Sequence, residues 1–121
     1  MEVPAAGYLW DLCRRQGVSY KNYGEGARRV PSINRGEWSV ARDTDRMEHW
    51  IADLRKAEVS GELPRFTIMS LGEDHTRGTR KGEPTPEACV GNNDLALGRM
   101  VEAASHSRFW NEMAIDRKSV V

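Results

Sequence analysis

The sequence predicts an α/β fold, and three observations carry that expectation. Apolar residues repeat at helical spacing in three separate stretches, and short β-branched or aromatic runs lie between them. Clusters of glycine, proline and small polar residues separate each stretch from the next. At 121 residues the chain is long enough for one small domain and too short for two.

The elements follow in order. Residues 4–16 place Tyr8, Leu9, Leu12 and Cys13 on one helical face, with Pro4 suited to the first turn and Gly17 to the stop. Residues 18–20 read as a short strand. Residues 21–41 hold Gly24, Gly26, Pro31 and Gly36 without a sustained period and read as a long loop. Asp45 and Glu48 then have capping-box spacing, and Met47, Trp50, Ile51, Leu54 and Ala57 repeat as a helix that Gly61 and Pro64 end. Residues 65–71 are the next strand, and residues 77–85 a loop. Thr85 and Pro86 make an N-cap and first-turn pair. From there Ala88, Cys89, Val90, Leu95, Leu97, Met100 and Val101 outline a helix to about residue 105. A strand is expected to begin at 113–115, completing a βαβ unit.

Composition excludes several classes of function. Lys plus Arg (18) equals Asp plus Glu (18), so the net charge is zero. A polyanion-binding protein carries a basic excess, so nucleic acid is not an expected partner. Mean hydropathy is −0.66, and no stretch approaches the roughly 20 apolar residues of a spanning helix. No targeting signal is visible after Met1, which implies a soluble chain that stays where it is made. Two cysteines, Cys13 and Cys89, are too few for a disulfide framework or a metal knuckle and read as small buried side chains.

The candidate site lies where the second strand stops. After Phe66-Thr-Ile-Met-Ser-Leu71, Gly72 breaks the run, and Glu73, Asp74, His75 and Thr76 follow at once. Oxygen and imidazole ligands just past the carboxyl end of a strand are where open α/β sheets place their chemistry. His49 and His106 read as structural, the latter favoured near a helix C-terminus. The charges between Asp43 and Lys56 read as a solvated helix face. Trp10, Trp38, Trp50 and Trp110 read as core or edge packing.

Four segments in sequence order resemble a bacterial phosphoesterase family of the alkaline phosphatase superfamily, which often occurs behind a β-propeller. They are Pro4-Ala-Ala-Gly-Tyr-Leu-Trp-Asp-Leu12, Leu63 to Thr79 with its Gly-Glu-Asp-His-Thr core, Thr85 to Glu102 with Asn93-Asp94-Leu-Ala-Leu-Gly98, and Ser107-Arg-Phe-Trp110. The resemblance covers residues 4–115. It implies a fragment of an alkaline-phosphatase-like, mostly parallel sheet flanked by helices, incomplete, with about three helices and two to three strands. Residues 1–115 would then be a partial phosphoesterase domain and residues 116–121 a non-native tail. Reverse translation of that tail permits a string that resembles the opening of a common sequencing adaptor, the ground for expecting it to be non-native.

Such enzymes are hydrolases that hold two divalent ions around a Thr or Ser nucleophile, and the ions clamp the phosphoryl oxygens of a phosphate ester. Zinc, iron and manganese all suit such ligands. The resemblance carries Asp74 and His75 over as metal ligands. His75 is the firmer of the two, because the family often has Asn at the position of Asp74. Thr76 would support them from behind. The nucleophile and the remaining ligands would lie outside residues 1–115, so this chain is expected to be inactive and to hold no metal stably. Intact relatives are often exported. Two other readings stand beside this one. Arg77, Arg80 and Lys81, set among glycines, suit a small anion- or phosphate-binding module, and the whole chain suits a non-catalytic interaction domain. A piece cut from a larger sheet is expected to be poorly soluble or molten.

Overall fold

The computed structural model describes residues 4–25 and 42–118. Gly7, at φ 77°, closes a turn onto the Pro4 carbonyl (N···O 2.8 Å), and helix α1 (Leu9–Arg15) starts only after it. Pro4 therefore lies ahead of the helix rather than in its first turn. Its start is fixed by Asp11, whose carboxylate accepts from the Tyr8 N–H at 2.9 Å. At the other end Gly17 is left-handed (φ 65°), and Val18 N–H reaches back to the Cys13 carbonyl at 2.9 Å. That Schellman closure is the stop the glycine foretold. Trp10 is buried, while Leu9 and Leu12 are exposed and Cys13 is only partly covered.

Strand β1 (Tyr20–Tyr23) begins where residues 18–20 were expected to end, and it takes in the start of the expected loop. Residues 26–41 of that loop, with Trp38, lie outside the described residues. Helix α2 (Asp43–Ser60) starts two residues ahead of Asp45. Asp45 is thus not the cap; it occupies the third helical position and accepts from the Arg42 N–H at 3.2 Å. Gly61, left-handed at φ 78°, ends the helix by donating to the Ala57 carbonyl at 2.7 Å. Strand β2 (Phe66–Met69) pairs parallel with β1, Tyr20 opposite Phe66 and Tyr23 opposite Met69. So α2 is the crossover of a βαβ unit formed one step earlier in the chain than the sequence pattern indicated.

Helix α3 (Pro86–Ser105) is capped by Thr85, whose Oγ1 accepts from the Ala88 N–H at 3.2 Å. It packs on α2, which also faces the sheet through Tyr23 and Met69. The core is therefore centred on α2. Met47, Trp50, Ile51 and Leu54 meet Tyr23 from β1 and Ala96 and Ala104 from α3, with Leu63, Met69, Leu71, Met100 and Phe109 around them. The apolar outline of α3 was only partly right. Its buried face uses Cys89, Asn93, Ala96 and Ala104, small enough to let the helices approach, whereas Val90, Leu95 and Val101 are exposed. His106 ends α3 with its ring Nδ1 2.8 Å from the Glu102 carbonyl, an end-of-helix contact in keeping with its expected structural role.

One expectation fails after α3. A 3-10 turn spans Trp110–Glu112, and residues 113–118 form no strand. Met113 reaches the core but Ile115 is exposed. A short apolar triplet becomes a strand only when a neighbour accepts its backbone ladder. Among the described residues the sheet has two strands, so the architecture is α/β with three helices and one parallel pair. No described helix is long and apolar enough to cross a membrane.

A groove of about 270 Å³ runs between α2 and the sheet, lined by Lys21, Tyr23, Trp50 and Asp53 among others. Tyr23 Oη donates to Asp53 Oδ2 at 2.8 Å and Lys21 Nζ to the same oxygen at 2.5 Å. Burial pushes the Asp53 carboxyl up, but the bonds from Lys21 and Tyr23 and the Lys21 charge outweigh it and hold it below its usual value. Tyr23 moves the other way: burial, then the bond to Asp53 and its charge, raise the phenol well above its usual value. The signs differ accordingly. The Asp53 contribution is present above an unfolded pKa of about 3.9 and fades as acid reaches the lower folded value. The Tyr23 contribution is present below about 10 and fades as alkali rises toward the folded value. Tyr23→Phe should therefore cost about 1 kcal/mol at neutral pH and flatten the loss of stability above pH of about 10. Urea midpoints measured from neutral to alkaline pH test this, and equal alkaline slopes in the two proteins would refute it.

Candidate functional site

Backbone bonds carry the chain past β2: Ser70 N–H donates to the Tyr23 carbonyl at 3.0 Å, the last rung before the turn. Gly72 then precedes a single 3-10 turn, Glu73–His75, closed by His75 N–H to the Gly72 carbonyl (3.3 Å) and Thr76 N–H to the Glu73 carbonyl (2.9 Å). Thr76 leaves the turn at φ 47° and ψ 175°, a region a β-branched residue rarely enters. Its Oγ1 accepts from the Gly78 N–H at 3.4 Å.

The two residues expected to ligate metal are adjacent and open to solvent. His75 Nε2 lies 4.0 Å from Asp74 Oδ1, with 74% of the His75 side chain and 36% of the Asp74 side chain exposed. Two donors on one tetrahedral ion with bonds of about 2.1 Å stand roughly 3.4 Å apart. A small side-chain rotation would bring this pair to that spacing, so it fits one edge of a coordination shell. The described residues do not fit a dinuclear centre, because no group of three or more His, Cys, Asp or Glu gathers among them.

The expected anion-binding residues lie on the turn that follows. Arg77 Nη1 is engaged by Glu83 Oε1 at 3.0 Å, while Arg80 and Lys81 stand exposed on the turn between them. Glycines with positive φ, Gly78 (61°) and Gly82 (85°), shape that turn.

What holds the Asp74–His75 turn in place is Glu73, turned inward from the expected cluster, with a set of residues outside those expectations. Asp43 is fully buried (0% exposed), against its reading as part of a solvated face. Its carboxylate accepts four hydrogen bonds. Oδ1 takes Arg46 Nη1 (2.7 Å) and the Gly72 N–H (3.1 Å); Oδ2 takes the Glu73 N–H (2.9 Å) and Asn93 Nδ2 (2.9 Å). Those four fill the acceptor positions a carboxylate offers. Glu73 answers in kind: Oε1 accepts from Arg42 Nε at 2.9 Å, and Oε2 accepts from the Asp43 N–H at 2.8 Å and from Asn92 Nδ2. Asn92 is itself oriented by Thr44, whose hydroxyl donates to Asn92 Oδ1 at 3.1 Å.

A signal for these residues was present. Asp43 falls in phase with Met47, Trp50 and Leu54, and Asn93 in phase with Cys89, Ala96 and Met100, so each is a polar residue on an apolar stripe. A charge on such a stripe must be paired when buried. No family model, curated protein or solved structure matches the chain.

Proposed function

We propose that this chain carries one corner of a metal-dependent phosphoesterase site of the alkaline phosphatase type, with Asp74 and His75 as donors to a divalent ion. One observation carries the reading: both donors sit together on a solvent-facing turn just past the carboxyl end of a parallel strand. The four-segment resemblance supports it independently. Carboxylate and imidazole together suit manganese, iron or zinc. In the complete site such ions polarise the phosphoryl group, and the contribution of these residues is to hold and orient one ion. Phosphate esters are the substrate class.

Two donors bind weakly, so the test must be local. Mn²⁺ added to the protein should broaden the His75 ring signals in NMR at concentrations about tenfold lower than for His49 or His106. Asp74→Asn should close that gap. Equal broadening at all three histidines would defeat the proposal. The chain alone should not hydrolyse p-nitrophenyl phosphate; metal-dependent turnover lost in His75→Ala would show that more of the centre is present than these two donors.

A further inference from the structure

We propose that Asp43, Glu73, Asn92 and Asn93 are positioning residues that together fix the Asp74–His75 pair, an inference that rests on reading that pair as metal donors. Capping α2 would need one acceptor at its first turn. The arrangement here is larger and reciprocal. The Asp43 N–H donates to the Glu73 carboxylate while the Glu73 N–H donates to the Asp43 carboxylate, across 30 residues of chain.

Glu73 is therefore pinned at its backbone and at its side chain, and the two donors hang directly from it. Helix α3 closes the arrangement from the other side. Consecutive residues Asn92 and Asn93 each reach a different carboxylate, Glu73 and Asp43 respectively. Within the turn the Glu73 side chain is only 15% exposed, whereas the next two point outward. The turn thus turns its first side chain inward for anchorage and its second and third outward for binding. Residues that hold ligands in place without touching the ion set affinity by removing the ligands' freedom to wander.

The test compares Glu73→Ala with Thr85→Ala in the full chain. Thr85→Ala removes the N-cap bond of α3 and weakens that helix without touching the turn. Glu73→Ala should raise the Mn²⁺ concentration needed to broaden His75 by about tenfold and speed amide exchange at His75 and Thr76 by a similar factor. Thr85→Ala should change neither by more than about twofold. Equal effects in the two variants, or an unchanged Mn²⁺ response in Glu73→Ala, would overturn the inference. Where Glu73→Ala does not fold, Asn92→Ala, which spares the Arg42 and Asp43 bonds to Glu73, takes its place. If wild-type His75 takes up no Mn²⁺, the metal reading falls by itself. Amide exchange then decides the positioning claim: faster exchange in Glu73→Ala alone retains it, and equal exchange removes it.

Discussion

Replacing Asp43 with alanine should cost about 3–5 kcal/mol, because it strands four donors around a buried site. The guanidinium of Arg46, the N–H groups of Gly72 and Glu73 and the amide of Asn93 all lose their acceptor at once. Small domains are stable by only about 5–15 kcal/mol, so the change is expected to remove a large share of the stability. Asp43→Asn keeps the shape and one acceptor oxygen, and should cost clearly less. Urea denaturation followed by tryptophan fluorescence reads both. A loss below about 1 kcal/mol for Asp43→Ala would mean that water or rearranged side chains replace the carboxylate, and that the buried network contributes little.

Met47→Ala is the second large effect. Met47 is fully buried at the centre of the core, one helical turn beyond Asp43. Truncation there should cost about 2–5 kcal/mol, from lost apolar burial and the cavity left behind. Val59, on the same helix but 91% exposed, is the control; Val59→Ala should stay within about 0.5 kcal/mol. Similar midpoints for the two variants in urea would show that α2 does not pack on the sheet and α3 as described. Because Asp43 and Met47 share a helical face, their double variant should not be the sum of the singles.

Three helix boundaries that rest on local chemistry were legible in the sequence, whereas the starts expected at Pro4 and Asp45 were not. Thr85 with Pro86, and the left-handed Gly17 and Gly61, act through their own backbone, so no distant partner is needed to recognise them. The strands were harder. Strand β1 contains Lys21 and Asn22, which look like loop residues until Asp53 of α2 is seen to accept from Lys21. Residues 113–115 have the composition of a strand, yet the ladder that would make them one must come from elsewhere in space.

The site divides along the same line. The cluster Glu73 to Thr76 could be singled out because it follows the end of an apolar run, and the resemblance narrowed it to Asp74 and His75. The residues that fix them are drawn from α2, the turn and α3, and only the fold brings those together. Polar residues on the buried stripes were the available clue, and assigning the charges between Asp43 and Lys56 to a solvated face passed over it.

The exchange between Asp43 and Glu73 also bears on how such sequences can diverge. Loss of either carboxylate alone leaves donors unpaired, and a change that keeps the acids but removes the asparagines leaves carboxylate oxygens short of a donor. A lineage that abandons the acid at 43 should therefore also alter 73, 92 and 93, in concert rather than one by one. The exposed Asp74 and His75 side chains are under no such mutual constraint from the fold. Covariation at the anchoring positions is the inheritance pattern this architecture imposes.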